Sequence, residues 1–276
     1  MRMLAIAVVL AGSTAFTQIA PTPVAPSAKS RDVKSLPDHA RPIFVSAQRA
    51  QIWLKHMNKP DGRFMYGLQP ALDVVLEGDN FASQAGAAFA LARASRYFRD
   101  DRGTTIARQA ALSLLLETVI DKDNGYRTTA APPQALNRLA ALGLLVNAIH
   151  ELAQPGKDLL EQSDQLGIYL HKQQRADGSL TVEGKTGIDE SDVASVGWAL
   201  QAVARSHRQM PAAWKLDLLR KARHHYAQMW SAGKSINIAA THTPAYAEAY
   251  VLTKEPAFAE TVFAMNDWLF GLQHRE

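Results

Sequence analysis

The sequence predicts an all-α fold built from repeated helical hairpins. Three observations lead to this prediction. Apolar residues recur at three- and four-residue spacing along most of the chain, Ala- and Gly-rich segments recur every 52 to 57 residues, and one short motif occurs three times. The chain has 276 residues, of which 47% are hydrophobic, enough for one sizeable core or one repeat array.

The first 40 residues are predicted to lie outside the helical domain, which we place at 41–276. A basic start, an apolar run over 4–12 and small residues up to Ala15 are typical of a secretory signal peptide, which we place at 1–20. Residues 21–40 are rich in Pro, Ser and Ala, which predicts an extended linker. The apolar run is too short to span a bilayer. We therefore expect an exported bacterial protein, periplasmic or extracellular, without a stable membrane span after signal cleavage; an uncleaved anchor is the alternative.

Composition narrows the classes of function. The sequence contains no Cys, which excludes disulfides, thiolate nucleophiles and iron–sulfur clusters. The net charge is +4 and the basic residues are scattered, so no nucleic-acid interface is expected. Metalloprotease, nucleophile-elbow, Walker A and dinucleotide-binding motifs are missing. The pair His224-His225 is predicted on a helix, where adjacent side chains point apart. We predict neither a metal nor a cofactor.

The repeated motif is an aromatic residue followed by Leu, an amide five residues after the aromatic, and an acid three residues later. It predicts the last turn of a helix followed by a reversal, in which the aromatic and Leu pack inward, the amide caps helix carbonyls and Asp-Gly forms the turn. The three copies are Trp53-Leu54, Asn58 and Asp61-Gly62; Tyr169-Leu170, Gln174 and Asp177-Gly178; and Trp268-Leu269, Gln273 and Glu276.

These segments resemble the QW-type repeat of the terpenoid cyclase and protein prenyltransferase superfamily, most closely over Arg49–Phe64. The resemblance implies an α/α toroid over roughly 42–276. Six hairpins of this period need on the order of 330 residues, so about four and a half are expected, in an open or incomplete ring that is either short or part of a longer parent. The Asp-x-Asp-Asp motif of squalene-hopene-type cyclases is absent, and the prenyltransferase zinc set requires Cys.

Nine helices follow from the apolar spacing. Those beginning near Asn80, Gln134, Ser191 and Thr243 contain many small residues, which allow close packing and predict an inner ring; the more charged helices are predicted to form an outer ring. The predicted ranges are 42–57, 80–98, 103–119, 134–153, 158–174, 191–207, 212–230, 243–252 and 256–272.

The loops that enter the inner helices are expected to converge at one end, where helix N-termini attract anions. Crowding of acids at 189–192 predicts a raised carboxyl pKa and a general acid beside a general base. The alternative is structural: N-caps at Asp79, Asn80, Ser191 and Thr243, with Pro244 at a first helical position. The predicted catalytic residues are Asp189, Asp192 and His242, and the predicted substrate-binding residues are Tyr66, Asp79, Asn80, Arg127 (as an anion clamp), Glu190 and Tyr246.

The function we expect first is a carbohydrate-active enzyme, a lyase, hydrolase or epimerase acting on an exported polysaccharide or a small-molecule ligand. This expectation combines export, the toroid analogy and the polar loop residues. A non-catalytic binding or scaffold protein with a concave helical surface is the first alternative. A terpenoid cyclase-like enzyme is the second.

Overall fold

The computed structural model describes residues 33–133, 135–185 and 189–273. This part of the chain is mostly helical, which confirms the prediction of a predominantly α-helical fold class. A 3-10 helix at Val33–Ser35 precedes the longer elements. These are α1 (Ala40–Met57), β1 (Gly67–Gln69), β2 (Val74–Leu76), α2 (Phe81–Phe98), α3 (Asp101–Leu115), β3 (Thr118–Asp121), β4 (Tyr126–Thr129), α4 (Arg138–Glu151), α5 (Lys157–Lys172), α6 (Glu190–Gln209), α7 (Ala213–Ala232), α8 (Ile236–Thr253) and α9 (Pro256–Gly271).

The helices form two layers. The inner helices α2, α4, α6 and α8 lie in a row, each packed against the next. The outer helices cover this row: α3 contacts α2 and α4, α5 contacts α4 and α6, and α7 contacts α6 and α8. Helix α1 packs on α2, and α9 packs on α8. The two end helices of the row, α2 and α8, do not pack against one another, so the row is open over the described residues.

Small residues let the inner helices approach closely. A Cβ atom added to Gly143 of α4 would lie 2.8 Å from the backbone nitrogen of Ala199 in α6. A Cβ added to Gly197 of α6 would lie 2.6 Å from the carbonyl carbon of Thr241 in α8. Both separations are shorter than ordinary carbon contacts of about 3.5–4.0 Å. Glycine at these two positions is therefore required by the spacing of the helices.

The hydrophobic core lies between the two layers, and α4 occupies its centre. Every residue of α4 from Leu139 to Glu151 is buried, since α4 has inner neighbours on both sides and outer helices above it. A helix that is apolar around its whole circumference is typical of such a position. The core continues through α6 and the inward faces of α5 and α7.

Two copies of the repeated motif have the same turn geometry. Gly62 and Gly178 have φ angles of 86° and 91°, in the left-handed region that favours glycine. Asp61 Oδ1 accepts a hydrogen bond from the backbone N–H of residue 63, and Asp177 Oδ1 accepts one from that of residue 179, both at 2.9 Å. The Asp-Gly reversal predicted from the sequence is therefore present in both copies.

The motif amide differs from its predicted role. Asn58 Nδ2 donates to the carbonyl of Gly62 at 3.2 Å, and Gln174 Nε2 donates to the carbonyl of Gly178 at 3.3 Å. The amides thus close the turn instead of capping the helix. Gln174 Nε2 also donates to the carbonyl of Leu218 in α7 at 3.0 Å. In the third copy, Gln273 is the last described residue and Glu276 lies outside the described residues.

The aromatic position of the motif does not always face the core. Tyr169 is buried, with 2% exposure, whereas Trp53 is 52% exposed. Trp53 lies on α1, and within the described part of the chain this helix packs on α2, α3 and the 3-10 helix, so no described helix covers its other side. The prediction that this aromatic packs inward is wrong for Trp53.

Two short β-hairpins were not predicted. Strand β1 pairs antiparallel with β2, with Leu68 opposite Val75, and β3 pairs antiparallel with β4, with Val119 opposite Thr128. Helix α3 ends at Leu115, before the predicted residue 119, because the β-branched run that follows it favours a strand. The hairpins occupy the connections from α1 to α2 and from α3 to α4.

The start of α8 also differs from the prediction. The helix begins at Ile236 with Ser235 as its N-cap, whose hydroxyl accepts a hydrogen bond from the N–H of Ile238 at 3.3 Å. Thr243 and Pro244 lie inside the helix, so neither an N-cap at Thr243 nor a first-turn position for Pro244 is correct.

The described residues begin inside the predicted linker. The 3-10 helix at Val33–Ser35 and the start of α1 at Ala40 lie within the segment 21–40 that was predicted to be an extended linker. Residues 21–32 of that segment and the predicted signal peptide lie outside the described residues. Over the described residues, no helix combines the length and apolar character needed to cross a bilayer.

Candidate functional site at the starts of the inner helices

The N-terminal ends of the inner helices lie together. Asn137, the N-cap of α4, donates from Nδ2 to Asp192 Oδ1 in the first turn of α6 at 3.1 Å. Glu190, the first residue of α6, accepts from Asn237 Nδ2 in the first turn of α8 at 3.3 Å and from the Ser235 hydroxyl. We call this end of the array the N-terminal face.

A depression of about 370 Å³ opens on this face between the starts of α2 and α4. Residues at the end of the α1–α2 connection and residues from both ends of the α3–α4 connection contribute to it, so it is formed where these two connections meet. It is lined by Asp79, Asn80, Phe81, Glu117, Thr129, Ala130, Ala131, Ala135 and Leu136.

Two carboxylates in the depression share one guanidinium group. Arg63 belongs to the turn after α1 and its side chain is 10% exposed, whereas the side chains of Asp79 and Glu117 are each 50% exposed. Nη1 of Arg63 lies 3.5 Å from Asp79 Oδ2, and Nη2 contacts Glu117 Oε1. The largely buried cation therefore holds two acids that remain accessible to a ligand. Glu117 was not predicted as a site residue because the sequence placed it inside α3.

Asp79 and Asn80 are fixed by different contacts. Asn80 is the N-cap of α2, and its Oδ1 accepts from the N–H of Ser83 at 2.9 Å. Asp79 Oδ1 accepts from Nε2 of the buried Gln84 at 2.9 Å. Gln84 also exchanges two hydrogen bonds with the backbone of Phe64, at 2.7 and 2.9 Å. The capping interpretation thus holds for Asn80 but not for Asp79.

Tyr66, a predicted substrate-binding residue, is not part of the depression. Tyr66 is 49% exposed, and its ring is next to Gly78, where an added Cβ would lie 3.0 Å from Tyr66 Cδ1. Gly78 has a φ of 139°, which a side chain would strain. Tyr66 does not line the depression.

The acidic cluster at the start of α6 forms a capping box. Asp189 is the N-cap and accepts from the N–H of Asp192 at 2.9 Å, and Asp192 accepts from the N–H of Asp189 at 3.2 Å. Ser191, an alternative N-cap in the sequence interpretation, donates its hydroxyl to Asp189 at 2.6 Å. This hydroxyl, the N–H of Asp192 and Lys185 lower the pKa of Asp189. The predicted rise in pKa from crowding is therefore wrong for Asp189.

Asp192 has little access to a ligand. Its side chain is 1% exposed, and both of its oxygens accept from Lys185 Nζ at 2.8 Å. Together with the bond from Asn137, these contacts fill its accepting positions. Asp192 therefore joins the starts of α4 and α6 to a lysine and does not face an open site.

His242 and Tyr246 are buried inside α8 and are not in a surface loop, so their predicted placement in a loop that enters an inner helix is wrong. Burial lowers the pKa of His242 to about 4 and raises that of Tyr246. His242 Nδ1 lies 3.2 Å from the carbonyl of Ile238, and its ring centroid lies 5.2 Å from that of Tyr226. A neutral, enclosed imidazole in this position packs the core and does not exchange protons with a ligand at the N-terminal face.

Arg127 is a structural contact in the second hairpin. Its Nη1 donates to Thr118 Oγ1 at 2.9 Å, and its Nε donates to Gln165 Oε1 of α5 at 3.2 Å. These bonds attach the hairpin to the outer layer, and Arg127 does not line the depression. A second arginine besides Arg63 contacts a lining residue: Nε of Arg138 donates to Thr129 Oγ1 at 3.2 Å, and its Nη1 lies 2.6 Å from Glu183 Oε2.

Of the nine predicted site residues, the structure brings Asp79 and Asn80 into the depression. Asp189, Glu190 and Asp192 lie on the same face as helix-end contacts, and the others lie elsewhere. Among the described residues, no cluster of three or more His, Asp or Glu could hold a metal ion. Comparison of the chain with models of protein families, with curated proteins and with solved structures finds no match.

Proposed function

We propose that this protein is an exported saccharide-binding protein built on an incomplete α/α toroid. The packing of each inner helix on the next, with outer helices covering the row, supports the toroid. So does the shared position of the starts of α4, α6 and α8. The export proposal depends on the signal-peptide pattern of the first 20 residues.

The depression on the N-terminal face is the proposed binding site. Its central feature is the pair of half-exposed carboxylates, Asp79 and Glu117, held by the largely buried Arg63. Carboxylate oxygens accept hydrogen bonds from sugar hydroxyls, and the exposed Asn80 adds a further polar side chain. Phe81 and alanine side chains supply the apolar wall that the faces of a sugar ring contact.

We favour saccharide binding over saccharide turnover because the three residues predicted to be catalytic have structural roles. Asp189 and Asp192 form a capping box, and His242 is fully buried. A glycoside hydrolase is the second proposed function, since Asp79 and Glu117 open onto one depression and a carboxyl pair is the usual acid–base set for glycoside hydrolysis.

Titration calorimetry with neutral oligosaccharides, together with an assay for newly formed reducing ends, tests both functions. We expect binding without turnover, and at least about tenfold weaker binding by the Asp79→Asn variant, the loss expected for one charge-assisted hydrogen bond. Glu260→Gln is the matched control, because Glu260 is an exposed acid on α9, away from the depression.

The outcomes separate the proposals. Equal affinity in Asp79→Asn and the wild-type protein, or no binding of any saccharide, would overturn the proposed site. Reducing ends that are released by the wild-type protein but not by Glu117→Gln would establish the hydrolase in its place. Circular dichroism of each variant verifies that it is folded, because removing Glu117 leaves Arg63 with one fewer partner.

A further inference from the structure

A second cavity lies at the opposite end of the inner helices. The residues that line it come from the C-terminal halves of α2, α4, α6 and α8, whereas the saccharide site proposed above lies at their starts. The cavity has a volume of about 240 Å³ and is polar. It is lined by Arg96, His150, Glu151, Arg205, Arg208, Gln209 and Glu248.

A buried arginine organises the cavity. The side chain of Arg205 is 9% exposed, with Nε 2.6 Å from Glu248 Oε1 and Nη1 2.7 Å from Glu151 Oε1. Gln201 Nε2 also donates to Glu248 Oε1 at 3.1 Å. Arg205 therefore neutralises charge on both acids, which belong to α4 and α8, the inner helices on either side of α6.

Two further arginines give the cavity an excess of positive charge. Arg96 Nη1 lies 3.2 Å from Glu151 Oε2, and Arg208 Nη2 lies 3.5 Å from Glu248 Oε2. Three arginines thus face two glutamates, which leaves one net positive charge. The side chains of Arg96 and Arg208 are 56% and 49% exposed. A guanidinium has five N–H donors, so one carboxylate contact leaves most donors of each side chain available to a ligand.

His150 supplies a polar atom without a partner. The residue is 5% exposed, its Nε2 lies 2.9 Å from Ser163 Oγ, and its buried Nδ1 has no hydrogen-bond partner in the described part of the chain. Burial, followed by the charges of Lys215, Arg205 and Arg208, lowers the pKa of His150 to about 3, so the ring is neutral at physiological pH. If Ser163 donates to Nε2, the proton of the neutral ring is on Nδ1, where it can be donated to a ligand.

We propose that this cavity binds a small oxyanion, a carboxylate or a phosphate, at the C-terminal ends of the inner helices. Arg96 and Arg208 contact the anion from two sides, and His150 Nδ1–H donates a hydrogen bond from the wall. A single excess charge matches a monoanion better than a dianion, because the two glutamates repel the second negative charge. The volume fits a sugar acid or inorganic phosphate.

Titration of the full chain with sodium phosphate near pH 6, sodium glucuronate and uncharged glucose, at constant ionic strength, tests the proposal. The titration is monitored by NMR of the histidine ring nitrogens. We expect an oxyanion to bind saturably at the cavity and glucose not to bind there. Anion binding is expected to shift the His150 Nδ1 resonance. Saturation by phosphate alone, by glucuronate alone or by both identifies the source of the oxyanion.

The Arg208→Gln variant removes one clamping group. We expect its oxyanion affinity to fall by about tenfold, as expected for a lost charge-assisted hydrogen bond, with an unchanged unfolding temperature because the side chain is half exposed. Arg102→Gln is the matched control, since it removes the same charge from an exposed position on α3. Equal weakening in both variants, or no saturable binding of either anion, would overturn the proposal.

Discussion

The close contact between α6 and α8 predicts that the Gly197→Ala variant is less stable than the wild-type protein. In an ordinary helix this substitution is stabilising, because alanine has the higher helix propensity by about 1 kcal/mol. At Gly197, however, the new methyl group would lie 2.6 Å from the carbonyl carbon and 2.7 Å from the carbonyl oxygen of Thr241. These are backbone atoms of α8, so rotation of a side chain cannot relieve the contact.

The size of the effect follows from this geometry. Restoring an ordinary carbon contact of about 3.5 Å requires α6 and α8 to separate by about 0.9 Å. Overpacking in a well-packed core costs about 1–3 kcal/mol, and a backbone obstacle places Gly197→Ala near the upper limit. After the gain in helix propensity, we expect the free energy of unfolding to fall by about 2 kcal/mol.

Urea unfolding followed by circular dichroism at 222 nm measures this free energy. Gly86→Ala is the matched control: it also lies in an inner helix, but its added Cβ would meet only Leu144 Cδ1, at an ordinary 3.7 Å. We expect this control to be about 0.5–1 kcal/mol more stable than the wild-type protein. If both substitutions raise the stability, the close approach of α6 and α8 is refuted.

Three further perturbations test the interior. Lys215→Ala is expected to lower the free energy of unfolding in urea by about 3 kcal/mol, because the fully buried ammonium group lies 2.6 Å from Asp164 Oδ1; a loss below 1 kcal/mol would contradict this. Asp192→Asn is expected to lower it by about 1–2 kcal/mol by weakening the capping box and the contacts with Lys185, and an unchanged melting temperature would contradict this. The folded-state pKa of His242, about 4, is below the ordinary value of 6.5, so the unfolded state binds more protons between these pH values. The contribution of His242 to the free energy of unfolding is therefore fully present above pH 6.5 and declines towards pH 4 by up to about 3 kcal/mol. In urea titrations at several pH values, the His242→Gln variant should show a smaller change of the free energy of unfolding with pH. An unchanged pH dependence would exclude His242 as the group responsible.

Much of the helical layout could be predicted from the sequence because it is encoded by local apolar spacing. Helix α9 begins at Pro256 as predicted, and α2 begins one residue after the predicted Asn80. The start of α8 could not be located, because Thr243-Pro244 has the pattern of a first helical turn while lying within the helix. Pro244 removes the partner of the Ala240 carbonyl, and Ala240 is exposed, where solvent can replace that bond.

The site was harder to predict than the fold because it depends on contacts between distant connections. Asp79 and Asn80 were found because they precede an inner helix. Glu117 was missed because it lies in a short connection that continues the apolar spacing of α3, and its position beside Arg63 arises only when two turns meet. His242 was wrongly placed because its surroundings depend on the start of α8, and with that start corrected it faces the core.

The Gln174 amide has a consequence for how the chain folds. Its Nε2 donates one hydrogen bond to the carbonyl of Gly178, in the turn that follows α5, and another to the carbonyl of Leu218 in α7, the outer helix of the next hairpin. A hairpin excised from its neighbour would lose that bond and expose the apolar surface that the neighbour covers, so isolated hairpins are expected to be unstructured. Shortening the chain from one end should therefore remove order in whole-hairpin steps, and folding should be cooperative between adjacent hairpins over the length of the array.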